Sequence, residues 1–300
     1  MEVDTKTNGE KKTDNKTSNG ARDEADASVI SNSSEGASRA RMPVERNAPY
    51  YNMNHKNRGM AIIFNHEKFS IPNLNPRTGT SVDSDSLTKC LKGLGFSVTV
   101  FNDPTFGQIL NCIQDTAKKD HSDSDCILIA VMTHGELGML YAKDTYFKPE
   151  NLWLPFTGDK CPTLAGKPKL FFIQACQGDQ LDAGQTLYKS ETDGTSIASY
   201  KIPVFADFLI VYSTVPGYLS WRDVSRGSWF MQALCEVLQS YNSSDSKENI
   251  LDLLTTVSRK VALDYESDTP GRLFTHQQKQ IPFTTSMLTR LLVFGKKLKN

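Results

Sequence analysis

Three stretches of this chain are apolar with no polar alternation: CILIAVM (126–132), LFFI (170–173) and FLIV (208–211). A strand with one face in water alternates, whereas a strand with no polar face has to be covered on both sides. That places these three in the middle of a largely parallel sheet with helices packed above and below. The segments between them fit. GMAIIFNH (59–66) and SVTVF (97–101) read as further strands, and TSMLTRLLVF (285–294) as a closing one. Residues 84–96 read as a helix, with Ser84 or Asp85 as its cap and Gly95 as its stop. Ile109, Cys112, Ile113 and Thr116 mark a helix over 106–119, and residues 227–241 a third. A fourth carries Ile250, Leu253, Leu254, Val257 and Val261 on one stripe. The expected fold is α/β: a three-layer sandwich with a mostly parallel six-stranded sheet.

Composition removes several function classes. Lys and Arg total 34, as do Asp and Glu, so no basic field favours nucleic acid. The longest apolar run falls far short of the ~20 residues of a membrane span, and the N-terminus lacks a signal-peptide core. Six scattered cysteines without C-x-x-C spacing point to reduced thiols in the cytoplasm, with neither a disulfide framework nor a zinc site. No metal or other cofactor is expected. Residues 1–49 contain no Phe, Trp or Tyr and are expected to be disordered. Residues 178–201 form a long aperiodic stretch inside an otherwise compact pattern, the mark of a functional loop and a candidate protease-cleavage linker.

Two of the apolar strands run into reactive side chains, AVMTHGE into His134 and FFIQAC into Cys176. Sites in open α/β sheets lie at the carboxyl ends of strands. A thiol is only a few per cent ionised at neutral pH, so a nucleophilic cysteine needs a base, and His134 can serve and then protonate the leaving amine. Gly135, and the small residues around Cys176, would let backbone amides approach a developing oxyanion. A thiol oxidoreductase would require C-x-x-C, which the chain lacks.

QACQG (174–178), with a histidine about 42 residues upstream, fits the Q-A-C-[RQG]-G pattern, and from Tyr50 to Lys297 the chain resembles the caspases. YNMNHKNRGMAIIFNHE, LAGKPKLFFIQACQGD and STVPGYLSWR are most similar to the executioner (effector) caspases of insects, moths in particular. The resemblance implies a cysteine endopeptidase that cuts proteins after aspartate and executes apoptosis. It makes His134 and Cys176 the dyad and the amides of Gly135 and Cys176 the oxyanion hole. Arg77, Arg222 and Gln174 become the pocket for the substrate aspartate, consistent with the bidentate grip of guanidinium on carboxylate. Leu219, Ser220, Trp221 and Trp229 become neighbouring subsite residues. Asp223 and the loop 267–280 depart from the family pattern and bear on the subsite four residues before the cut; a carboxylate at 223 would repel an acidic residue there.

The chain also carries sequences that such an enzyme would cut, RDEADAS with Asp26 and SETDGTS with Asp193; Asp182 in QLDAG competes with the latter. The resemblance therefore implies a zymogen with a disordered pro-segment (1–26), a large catalytic subunit (27–193) and a small subunit (194–300). Its expected partners are an upstream initiator caspase, protein caspase inhibitors, and a second copy of the processed enzyme in a homodimer. The alternative is a catalytically silent caspase-like scaffold, for which lost dyad or pocket residues would be the sign. Related clans that cut after Arg or Lys would need an acidic pocket instead.

Overall fold

The structure, a computed structural model, describes residues 42–183 and 203–296; Asp26 and Asp193 lie outside the described residues. The principal elements are β1 (Met60–Asn65), α1 (Thr80–Gly93), β2 (Ser97–Asn102), α2 (Phe106–Ala117) and β3 (Ile127–Met132). They continue with β4 (Lys169–Gln174), β5 (Phe208–Tyr212), α3 (Trp229–Ser243), α4 (Ile250–Asp264) and β6 (Phe283–Ser286). The sheet runs β6-β5-β4-β3-β1-β2, with every pair parallel except the antiparallel β6–β5 edge.

The unbroken apolar strands are explained by two separate cores. Ala61, Ile63, Leu128, Ala130, Leu170, Phe172, Leu209 and Val211 face α1, α3 and α4. The intervening residues, among them Ile62, Phe64, Ile129, Val131, Phe171 and Ile173, face α2 and the segment around Leu152, Phe156 and Leu164. Successive side chains in a strand point to opposite faces, so a strand buried on both faces must be apolar at every position.

Two expected boundaries move. Helix α1 begins at Thr80, so neither Ser84 nor Asp85 caps it. Gly79 turns the chain into the helix with φ 87°, a left-handed conformation that glycine adopts without strain. Asp83 and Ser84 are instead buried, and the Asp83 carboxylate accepts from Ser228 N–H (2.8 Å) and Oγ–H (2.6 Å). Of the two expected caps, Ser84 is an interior residue and Asp85 lies exposed within the second turn of the helix. The closing strand covers 283–286, not 285–294. Beyond Ser286 the chain leaves the sheet, and Leu292 and Phe294 are buried against the helical face. Their apolar character serves the core: Phe294 meets Phe96 edge-on at 6.0 Å, with the Arg58 guanidinium 5.3 Å from its ring centre.

Arg58 anchors this end of the sheet. It pairs with Asp125 at 2.9 Å with neither side chain exposed, donates to Leu94 O at 2.9 Å, and bonds Gly295 O. Removing one partner of such a pair strands the other charge in the interior. Asp125→Ala is expected to lower the unfolding free energy by about 3–5 kcal/mol. Asp115→Ala, which breaks an exposed pair with Lys118, should cost under about 1 kcal/mol. Urea denaturation of the two variants checks both.

Candidate active site

Strands β1, β3 and β4 end together. Asn65 lies opposite Met132, and Met132 opposite Gln174. His134 follows Met132 by two residues and Cys176 follows Gln174 by two, while Thr133 N–H bonds Gln174 O at 3.0 Å. The two side chains therefore leave adjacent strand ends in step. Gly135 closes the gap between those ends. A Cβ there would stand 2.5 Å from Cys176 O and 3.0 Å from Ala175 Cβ, so no side chain fits.

The Cys176 thiol is half-buried beside Ser220, whose N–H approaches Sγ at 3.4 Å and whose carbonyl lies 3.8 Å away. Burial pushes its pKa up; the Ser220 contact and the charges of Arg77 and Arg222 oppose that. His134 Nε2–H donates to Asn75 O at 2.8 Å, and the Phe69 ring lies 5.0 Å from the imidazole. The carbonyl fixes the tautomer, leaving Nδ1 of the neutral ring unprotonated. Burial pulls the imidazole pKa below its ordinary value, and both arginines add to the fall against the Asn75 bond. Both shifts favour the uncharged forms, the thiol and the neutral imidazole.

The loop that supplies Phe69, Asn75 and Arg77 is held by Asp103, which accepts from the amides of Glu67 (2.6 Å) and Lys68 (2.9 Å). Arg77 is 2% exposed and donates to His66 O at 2.9 Å and Thr80 Oγ1 at 2.8 Å. Arg222 Nε donates to Thr78 O at 3.2 Å, bringing the second guanidinium to the same loop. Burial, then the neighbouring Arg222, pulls the Arg77 pKa down to about 9, so it stays cationic at neutral pH. Among the described residues, no carboxylate pairs with either guanidinium. Asp83 is coupled to both electrostatically, but its oxygens are taken by Ser228. Gln174 donates to Ser220 Oγ at 2.7 Å and leaves its buried Oε1 without a partner among the described residues. The result is a cluster of hydrogen-bond donors near the thiol.

Segment 217–222 forms the facing wall. Gly217 and Gln177 exchange backbone bonds with each other's strand (Gly217 N–H to Gln177 O 2.8 Å, Gln177 N–H to Tyr218 O 3.0 Å), and Leu219 N–H bonds Gln180 O at 2.9 Å. Trp221 stacks on Trp229 at 5.6 Å and 19°, and Trp229 rests on Tyr265 at 5.6 Å. Trp229 is buried and Trp221 half-buried. Gln280 fixes the wall by accepting from Trp221 N–H and donating to Ser213 O, each at 2.7 Å. Every residue expected at the site is therefore gathered at this end of the sheet. Sequence reasoning missed Phe69, Asn75, Thr80, Asp83, Ser228 and Gln280. Asn75 acts through a carbonyl that any residue supplies, and the remainder act through tertiary contacts that leave no spacing pattern.

Comparison with known proteins agrees with this fold. The Caspase domain family matches residues 58–293. The chain is 66% identical to Caspase-1 of Spodoptera frugiperda over 279 residues, 93% of this chain and 92% of that protein. It is 58% identical to Caspase drICE of Drosophila melanogaster over 260 residues, 86% of this chain and 76% of that protein. The crystal structure of the Spodoptera caspase-1 superposes with a TM-score of 0.80 at 66% identity, covering 87% of this chain and 99% of that one. The structure of pro-sf-caspase-1 gives 0.68 at 68% identity, covering 86% and 98%. The chain belongs to the caspase family, cysteine-type endopeptidases specific for aspartate.

Proposed function

We propose that Cys176 is the nucleophile and His134 the general base and acid, and that Arg77, Arg222 and Gln174 select aspartate before the cut. The observation that carries this reading is the pair of guanidiniums near the thiol, neither of which forms an ion pair with a carboxylate among the described residues. A substrate aspartate supplies the missing anion through charge-assisted hydrogen bonds. Asparagine would leave the buried cations unneutralised, a discrimination of several kcal/mol. With the carboxylate seated, the scissile carbonyl lies over Cys176, and the amides of Gly135 and Cys176 take its oxygen as the thiolate adds. His134 receives the thiol proton and delivers it to the departing amine; it then activates the water that releases the acyl group. Leu219, Ser220, Trp221 and Trp229 border the preceding substrate residues.

Docking of the carboxylate also acts on the dyad. Both arginines lower the His134 pKa; an anion bound to them cancels that field and makes the imidazole a stronger base when substrate is present.

The reading extends to activation. The precursor is a zymogen cut at Asp193, separating a large subunit (27–193) from a small one (194–300), and at Asp26, releasing the pro-segment. An initiator caspase makes the cuts and protein caspase inhibitors restrain the product. The protein acts in the cytoplasm in apoptosis; among the described residues, no helix is long and apolar enough to cross a membrane. Processed subunit pairs form a homodimer through the β6 edge, where Phe283, Thr285 and Ser286 are exposed.

Three results are expected. In a fluorogenic panel varying only the residue before the cut, the wild type cleaves after Asp and at least about 100-fold less after Asn, Glu or Arg, and Cys176→Ala abolishes turnover. Cleavage after Arg would overturn the pocket, and no cleavage by processed protein would leave the scaffold reading. The acid limb of kcat/KM falls below pH 6.5, because the free enzyme loses its base only on protonation of an imidazole whose pKa is lowered. The acid limb of kcat lies higher than that of kcat/KM, because bound substrate neutralises the arginines; coincident limbs would refute the coupling. Asp193→Ala leaves a single uncut chain of low activity on a denaturing gel, and full activity in that variant would remove the activation step.

A further inference from the structure

His134 lies two residues beyond the end of β3 and is fastened by its Nε2–H bond to Asn75 O at 2.8 Å. The outermost torsion of a histidine side chain is broad and roughly two-fold, so one bond leaves the ring plane free to pivot. A second contact meets that plane. The Phe69 ring stands 5.0 Å from the imidazole centre, the two planes tilted by 44°. Phe69 is itself stacked on His66, with 6.0 Å between ring centres and 16° between planes. His66 follows β1 directly and is fully buried; its N–H bonds Met132 O at 2.9 Å and its Nε2–H donates to Pro104 O at 3.1 Å. Met132 is the last residue of β3, so the strand end that carries His134 also anchors the ring on which Phe69 stacks. Burial pulls the His66 pKa down to about 4, and at neutral pH that ring is uncharged. On either side of Phe69 the backbone is tied down, the Lys68 amide to Asp103 at 2.9 Å and the Ser70 amide to Lys143 O at 2.7 Å.

We propose that Phe69 is a positioning residue: its ring fixes the plane of the His134 imidazole, so that Nδ1 is kept for proton exchange with Cys176 while Nε2–H stays on Asn75. The inference rests on the reading of His134 as base and acid given above. With both contacts, the imidazole holds one orientation while it takes the thiol proton and later returns it. Without the phenyl face, it pivots about its remaining bond and spends time in orientations from which Nδ1 does not meet the proton. A displacement of about 1 Å at a reacting group can cost on the order of 100-fold in rate. The substrate aspartate is assigned to Arg77, Arg222 and Gln174, whose hydrogen bonds do not involve the Phe69 side chain. The loss therefore falls on kcat and spares KM.

The test uses processed enzyme and a fluorogenic peptide with aspartate before the cut, each rate taken per active site titrated with an irreversible aspartyl halomethyl ketone. Phe69→Leu is expected to lower kcat about 10-fold or more, with KM within about two-fold of wild type. Phe69→Tyr, which restores an aromatic face, is expected to recover most of that loss. Equal losses in the two variants, or a rise in KM at unchanged kcat, would overturn the proposal. His134→Ala, run alongside, separates this inference from the reading beneath it. Turnover retained in His134→Ala removes the dyad and the inference with it. An inactive His134→Ala beside a fully active Phe69→Leu removes the inference alone. Should Phe69→Leu fail to fold, which far-UV circular dichroism reports, the contact is read without any change at Phe69. In the nitrogen-15-labelled full chain carrying Cys176→Ala, the His134 Nε2 proton should exchange slowly and the imidazole should show nuclear Overhauser cross-peaks to the Phe69 ring. A rapidly exchanging proton without those cross-peaks would overturn the proposal.

Discussion

The pairing of β3 with β4 in parallel register is the constraint on which the site rests. With Met132 opposite Gln174, His134 and Cys176 each follow an adjacent strand end by two residues. A slip of one residue would send one of them to the opposite face of the sheet. The register is enforced from both cores at once. Ile129, Val131, Phe171 and Ile173 pack on one side, and Leu128, Ala130, Leu170 and Phe172 on the other. No face of either strand is polar enough to tolerate the slip. Gly135 then sets the spacing beyond the sheet, since its missing side chain lets the histidine strand touch the carbonyl of Cys176.

Against that well-packed frame, the arginine recess is costly. Arg77 is almost fully buried, yet its hydrogen bonds go to a carbonyl and a hydroxyl, not to an anion. A buried cation without a counter-charge is unfavourable, and its lowered pKa records that cost. Asp83 lies close enough to couple to both guanidiniums, but Ser228 claims its oxygens. The fold thus keeps a carboxylate near enough to moderate the charge and too well bonded to fill the recess. Under the proposed reading a substrate carboxylate completes the pairing, and the cost of burying the cations is then recovered on binding.

Much of this was legible in the sequence, and the limits have physical causes. The doubly buried strands announced themselves because burial on two faces admits only apolar side chains. His134 and Cys176 stood out because reactive residues terminated those strands. Arg77 and Arg222 were different: each alone reads as a surface residue, and only the family resemblance connected them across 145 positions of chain. The two misplaced boundaries share one origin. Ser84 and Asp85 seemed to be a cap because local rules count polar residues near a helix start. LLVF (291–294) seemed to extend a strand because local rules count apolar ones. In both places the tertiary contact decided the matter. Asp83 and Ser84 turned inward, and Leu292 and Phe294 filled a gap under the helices instead of pairing in the sheet.

Asp223 shows how geometry alters an argument from charge alone. A carboxylate at this position would be expected to repel an acidic substrate residue, but here its charge is engaged within a single turn. Oδ1 accepts from Ser225 N–H (2.8 Å), Ser225 Oγ–H (2.7 Å) and Arg226 N–H (3.0 Å), while Oδ2 accepts from Arg226 Nε at 3.0 Å. These bonds hold its pKa well below the usual carboxylate range, so it is ionised at neutral pH, and the Arg226 guanidinium is paired with it. At an exposed site the pair presents a dipole, whose field falls off faster than that of a lone charge and is further screened by salt. An approaching acidic side chain meets carboxylate and guanidinium together. Removing Arg226 would therefore expose more repulsion than Asp223 creates while the pair is intact.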